Sequence, residues 1–324
     1  MTLKNKKVLV AGGTGMIGQE VVALLLEKGA NVIVASNEDK SKLNFDVEHK
    51  KVDLREFSQC KEATKGMDIV FGLVGVKGSP KMAAERPASF FVPMLQFDTN
   101  LMEAARLNDV EWMLYTSSVG VYGKFDSPED SLWDEYPSKS DWYAGFAKRM
   151  GELQRDAYRI QYGWDKVSII RPANVMGKYD NFDPETGMVI PSLIAKIESG
   201  GDILPVWGDG SAERDIIYAK DVAKICLFLV ENQITAPVNA GTGRGISIKE
   251  VVNTILKFTK NKPTVEWDIS KPTGEKRRVL NTDRLKSLGF DDYTPFEVAI
   301  EEIVEWYNQN KSIVANRYNP FLKL

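Results

Sequence analysis

Short apolar runs alternate with longer stretches of helical periodicity through the first half of the chain. Residues 8–11 are apolar and valine-rich, and glycines follow at once. This reads as a buried strand entering a glycine loop at 12–18, then a helix over 19–28 closed by Gly29. Further strands are predicted at 32–35, 68–74, 112–116 and 167–171, with helices at 97–107 and 142–162. Unbroken apolar strands alternating with helices predict a doubly wound parallel sheet.

After about Asn174 the texture changes. Prolines and glycines become frequent, as at Pro184, Pro191, Gly200, Gly201, Gly208 and Gly210. Helical patterns return at 190–197, 221–231, 248–259 and 295–308. The pattern predicts two parts: residues 1–173 as the parallel α/β unit, and residues 174–324 as a smaller mixed α/β lobe with some segments returning to the first. No internal repeat or low-complexity tract is present, and the tail after Tyr307 shows no clear period.

Composition narrows the function classes. Of 324 residues 43% are hydrophobic and 27% charged, with a net charge of −3. That balance gives no reason to expect a nucleic acid or an anionic membrane as partner. Lys276-Arg277-Arg278 is too short a run to change this. Cys60 and Cys226 are far apart and lack metal-ligand spacing, so free thiols in a reducing cytoplasm are expected, with no metal. The apolar stretch after the basic N-terminus is too short for a signal-peptide core, and no run approaches a membrane span.

The chemistry begins at Gly12-Gly13-Thr14-Gly15-Met16-Ile17-Gly18. Glycines at 12, 15 and 18 permit a tight turn and close approach to a pyrophosphate, and the helix N-terminus offers N–H donors. This Gly-x-x-Gly-x-x-Gly spacing between strand and helix predicts a Rossmann dinucleotide site. The second strand ends Ser36-Asn37 without the acid that holds the ribose of NAD, and Lys40 and Lys42 are near. NADP is therefore preferred over NAD as the expected cofactor, although Glu38 and Asp39 oppose a phosphate. Asp53, followed by Leu54, is either an acceptor for the adenine amino group or a solvated loop acid.

At this point the chain resembles the extended short-chain dehydrogenases that act on nucleotide sugars, and within them the GDP-L-fucose synthases. The matching stretches are 72–78, Ile169 to Asn174, Tyr179-Asp180-Asn181-Phe182, Val189-Ile190-Pro191, Trp207-Gly208-Asp209-Gly210 with Arg214-Asp215, 239–243, and Lys271-Pro272-Thr273-Gly274. The resemblance implies that Asn174 touches a nucleotide sugar, that Arg214 and Arg277 hold its diphosphate, and that Pro191 and Trp207 line its site. The alternatives are Trp207 as a core residue and Arg277 as a solvated surface charge. Lys276 and Arg278 read as surface. It also implies a homodimer built on the helices near 97–107 and 142–162.

The same resemblance implies a Ser, Tyr and Lys at the reacting carbon. Counting back from Val121-Tyr122-Gly123 places the serine at Ser118, with Ser117 as the alternative. Ala147-Lys148-Arg149-Met150-Gly151-Glu152 matches the lysine stretch, so Lys148 takes that role and also grips the ribose. The tyrosine belongs four residues earlier, on the same helical face, but that position is Ala144. Tyr143 is five before, rotated about 100°. Frayed or bulged geometry beside the candidate caps Ser140 and Asp141 is needed to return its phenol. Otherwise another group, such as Tyr179 or water, is the acid. Gly120 and Met188 stand where the resemblance expects an epimerising cysteine and histidine. The single histidine, His49, precedes a strand predicted at 51–54 and reads as surface. The expected activity is thus reduction of a 4-keto-(6-deoxy) nucleotide sugar without inversion at C3 or C5. The alternatives are a 4-epimerase with tightly held NAD and an inactive dinucleotide sensor.

Overall fold

A computed structural model describes residues 1–76, 78, 80–271 and 274–314. Lys77, Pro272 and Thr273, which fall within two of the matched stretches, lie outside the described residues.

Seven parallel strands form the main sheet. In chain order they are β1 (Lys7–Ala11), β2 (Asn31–Ser36), β3 (Glu48–Lys51), β4 (Ile69–Gly72), β5 (Trp112–Thr116) and β6 (Val167–Pro172), joined by the late strand β10 (Val238–Ala240). Their spatial order is β10-β6-β5-β4-β1-β2-β3. The order reverses between β1 and β4, which opens a crevice at the carboxyl ends of those strands. Both faces are covered, so alternate residues enter different cores. Val8, Val10, Val32, Val34, Phe71 and Leu114 face one core, whereas Leu9, Ala11, Ile33, Ala35, Val70 and Met113 face the other.

Helices α1 (Met16–Glu27), α2 (Phe57–Thr64), α3 (Pro80–Glu85), α4 (Pro87–Leu107) and α5 (Trp142–Tyr162) connect these strands. α4 begins ten residues before the predicted start, because Pro87 sits in its first turn, where the missing N–H costs nothing. α5 has the predicted bounds, and Gly163 closes it with φ 63°. The edge strand β3 begins at Glu48 and includes His49. The prediction placed it three residues later, because Glu-His-Lys-Lys carries no apolar signal; an edge strand needs none.

The second lobe contains β7 (Asn174–Met176), β8 (Ile203–Trp207), β9 (Glu213–Tyr218), β11 (Gly245–Ser247), β12 (Thr264–Asp268) and β13 (Arg277–Arg278), with α6 (Val189–Glu198), α8 (Ile248–Phe258) and α10 (Phe296–Gln309). A third core fills it, including Leu193, Ile194, Val251, Ile255, Ile300 and Ile303. Between these segments, α7 (Ala219–Glu231) packs on α1, β10 extends the main sheet, and the short α9 (Asp283–Ser287) packs beside β10.

One buried ionic network ties the strand ends together. Arg171 on β6, 2% exposed, makes a two-pronged pair with Glu152 on α5 at 2.9 and 2.6 Å. Ser117 donates to the same carboxylate, and Arg171 also reaches the Tyr122 hydroxyl and the Glu129 carbonyl. Removing one member strands a buried charge. Glu152→Ala is expected to destabilise the fold by about 3–5 kcal/mol in urea unfolding. Lys40→Ala, which breaks the exposed Lys40–Asp46 pair, is expected to cost less than about 1 kcal/mol.

Candidate active site

A cavity of about 410 Å³ occupies the crevice where the sheet order reverses. The glycine loop forms its middle. Gly12 adopts φ +83°, and a Cβ at Gly18 would lie 2.2 Å from the Gly12 carbonyl oxygen, so the turn admits only glycine there. Thr14, Gly15, Met16, Ile17 and Gly18 line the wall beside the α1 N-terminus, whose first N–H groups have no partners within the helix. A bare backbone under a helix N-terminus fits a pyrophosphate, and the volume is that of a cofactor site.

One end of the cavity is lined by Ser36, Asn37, Glu38, Asp53, Leu54 and Arg55. Asp53 is partly exposed and paired. Arg55 holds it through both guanidinium and amide donors, which keeps its carboxyl below the usual range. Ser36 is buried, and its hydroxyl lies 3.0 Å from His49 Nε2. The surface reading of His49 is thus corrected: it is a half-buried partner of a cavity-lining residue.

The other end is lined by Thr116, Ser117, Ser118, Ala144 and Lys148, with Tyr179, Asp180, Asn181, Thr186 and Met188 contributed from beyond β7. Ser118 follows β5 and caps the short turn Val119–Val121, its oxygen accepting the Gly120 N–H at 3.0 Å. Ser117 commits its hydroxyl to Glu152 at 2.5 Å. The two serines therefore differ: one belongs to the buried network, and the other keeps an O–H to donate.

Lys148 lies on the inner face of α5. Its ammonium is 2.9 and 3.2 Å from the Asp98 carboxylate oxygens, with side chains only 7% and 9% exposed. Burial raises the Asp98 pKa, opposed by the Lys148 charge and by the Tyr115 hydroxyl, which donates at 3.1 Å. Asp98 was not singled out from sequence. Its signal was its position: it shares an inward stripe of α4 with Met94, Phe97, Leu101 and Met102, where an acid requires a partner.

Tyr143 is not brought to this cluster. α5 is regular from Trp142 onward, so no bulge turns the phenol inward, and Ala144 faces the cavity instead. Tyr143 is half exposed and packs edge-on against Phe91 with ring centroids 6.1 Å apart. Among the described residues, Tyr179 is the one tyrosine on the cavity wall. It has φ +65° and packs edge-on against Trp306 at 5.0 Å.

The sugar-side candidates lie on the second lobe and do not line this cavity. Asn174 donates to the Asp215 carbonyl at 2.9 Å, and Pro191 is buried in α6. Trp207, 57% exposed at the end of β8, has the Lys271 ammonium 5.9 Å over its ring, so it is no core residue. Arg277 pairs with Glu213 on the surface. Arg278, read from sequence as surface, is instead 12% exposed and pairs with Asp141 at 2.6 Å. It stands opposite Arg214 in the β13–β9 register. Burial, and then the charge of Arg278, lower the Arg214 pKa from its ordinary value. Two adjacent guanidiniums of this kind suit a diphosphate. Both cysteines are free and buried, and burial pushes the Cys60 thiol up to about 12.

Residues 8–241 match the family described as NAD dependent epimerase/dehydratase. The chain belongs to that family. It is 29% identical to GDP-L-fucose synthase 1 of Arabidopsis thaliana over 98% of this chain and 97% of that one. It is 27% identical to dTDP-4-dehydro-6-deoxy-D-allose reductase of a Streptomyces species over 95% and 98%. Its fold is that of a GDP-L-fucose synthetase from Naegleria fowleri, solved bound to NADP, with a TM-score of 0.81 and 23% identity over 96% and 97% of the two chains.

For this member of the epimerase/dehydratase family, the geometry separates two residues that the sequence pattern joins. Lys148→Ala removes the cation that lines the Ser118 end of the cavity among the described residues, and is expected to weaken dinucleotide binding at least about tenfold in a fluorescence titration. Tyr143→Phe is expected to leave turnover within a factor of about three, against the 10²–10⁴-fold loss that follows removal of a general acid.

Proposed function

We propose that this protein is an NAD(P)-dependent oxidoreductase of nucleotide sugars that reduces a 4-keto-(6-deoxy) sugar. The observation that carries this reading is the single cavity joining the glycine loop to Ser118 and Lys148, with the Arg214–Arg278 pair on the adjoining lobe. When bound, the nicotinamide dinucleotide supplies hydride. Thr14 to Gly18 hold its pyrophosphate, and Lys148 holds its ribose. NADP is preferred, because Ser36 replaces the acid that would repel a 2′-phosphate and Lys40 and Lys51 are close by.

The remaining roles fall to the chain itself. Ser118 orients the sugar carbonyl by donating its O–H. Lys148 places a positive charge near the oxygen that becomes an alkoxide. Asp98 holds that charge in position. Tyr179, the phenol on the cavity wall, delivers the proton. Gly120 has no side chain and Met188 no titratable group, so no pair of acids and bases is available at those positions to invert C3 or C5.

The test is to supply NADPH with a GDP- or dTDP-4-keto-6-deoxy sugar and identify the product by NMR. Reduction at C4 without deuterium uptake from D₂O at C3 or C5 is expected. Tyr179→Phe should then lower the rate by about 100-fold or more. Deuterium uptake above the spontaneous rate would restore an epimerase-reductase. Protein that carries non-exchanging NAD through purification would indicate a 4-epimerase.

We also propose a homodimer through α5 and α4. Tyr143, Met150, Leu153 and Ile160 are exposed on α5 at spacings of seven, three and seven, which is a two-helix packing seam. Val92 is exposed on the neighbouring α4. Light scattering at micromolar concentration should give twice the chain mass, and a monomer would refute this. No helix among the described residues is long and apolar enough to cross a membrane. The two buried free thiols agree with a cytoplasmic location.

A further inference from the structure

We propose that His49 sets this protein's preference between the 2′-phosphorylated and unphosphorylated dinucleotide, and that it does so through its own charge. The inference rests on the cofactor reading above. His49 is the single histidine in the chain. It lies on β3, paired with Val34 of β2, and its Nε2 is 3.0 Å from the Ser36 hydroxyl. Ser36 ends β2 and lines the cavity with Asn37 and Glu38. In a sheet of this order the end of the second strand receives the adenosine ribose. Ser36 therefore touches the 2′ region on one side and the imidazole on the other.

The fixed charges around the imidazole are of both signs and largely offset one another. Glu38 and Asp39 follow β2, Lys40 begins the next short turn, and Lys51 ends β3 itself. Asp39 is held ionised by the amide and hydroxyl of Ser41, and Lys40 is shared with Asp46 at 3.2 Å. On the cavity rim Asp53 is neutralised by Arg55. Glu38, Asp39 and the Lys40-bound Asp46 stand against Lys40 and Lys51, so protonation of the imidazole adds a full positive charge beside the 2′ region.

Burial lowers the His49 pKa from its ordinary value, which favours the uncharged, hydrogen-bonding ring in the free protein. A bound phosphate pulls that pKa back up. The sign follows from this. The electrostatic gain for a phosphorylated dinucleotide is complete below the pKa of the free protein. It is lost as pH rises through the pKa of the complex. A 2′-hydroxyl carries no charge, so NADH affinity gains nothing from the same protonation. The phosphate's own second ionisation near pH 6 acts in the opposite direction, so variants must be compared at each pH.

The experiment measures Kd for NADPH and NADH, by fluorescence titration of the full chain, from about pH 4.5 to about 8.5, which extends well below the ordinary histidine value. His49→Gln keeps a hydrogen-bonding group toward Ser36 without a charge. His49→Lys carries the charge throughout. The wild-type NADPH-over-NADH ratio should exceed that of His49→Gln by about tenfold at the acid end and converge with it at the alkaline end, the size expected of a one-unit shift. His49→Lys should keep the high ratio at the alkaline end. NADH binding by each variant serves as the control for folding. Parallel ratio profiles in wild type and His49→Gln, with both dinucleotides bound, would overturn the inference and leave the cofactor site standing. Failure of wild type to bind either dinucleotide would remove the functional reading and this inference with it.

Discussion

The contact between Lys148 and Asp98 is the constraint around which the site is arranged. Each ion alone would cost several kcal/mol to bury, and only close pairing with further hydrogen bonds offsets that cost. The partners come from α5 and α4, and the supporting groups from β5 through Tyr115 and from the segment after β4 through the Val74 carbonyl. Four elements therefore converge on one ammonium. A cation held this way stands at the cavity wall with little freedom to move, which is what the proposed contacts with a ribose and a developing alkoxide require. Gly151 allows the approach, since a Cβ there would lie 2.3 Å from the Tyr115 hydroxyl oxygen.

The Arg171–Glu152 network does related work one turn further along α5. It takes up Ser117 and so distinguishes it from its neighbour Ser118, although the sequence offers both as candidates. Two buried ion pairs on a single helix fix its rotation. That rotation places Ala144 and Lys148 inward and leaves Tyr143 outward, on the same line as Met150 and Leu153. The outward tyrosine is thus a consequence of helix phase.

Periodicity and glycine spacing carried most of the fold. The alternation of strands and helices, the glycine loop and the bounds of α5 were legible because each is a local pattern. The polar edge strand β3 was misplaced because its residues show no alternation. What sequence could not show was pairing across distant elements. Asp98 with Lys148, His49 with Ser36, and Arg278 with Asp141 join residues 50, 13 and 137 positions apart. No spacing rule links such pairs, although a charge on the buried stripe of α4 was a visible hint. The resemblance favoured Arg277 over Arg278 within a run of three bases; the β13–β9 pairing turns Arg278 inward and leaves Arg277 exposed.

The most direct measurement is a crystal structure of the protein with NADP. The expected result has the pyrophosphate against the backbone of Thr14 to Gly18, the adenosine ribose beside Ser36, and the nicotinamide ribose within hydrogen-bonding distance of the Lys148 ammonium while Lys148 keeps its contact with Asp98. Dinucleotide bound outside the crevice, or bound within it with Lys148 turned away from the ribose, would contradict the central claim.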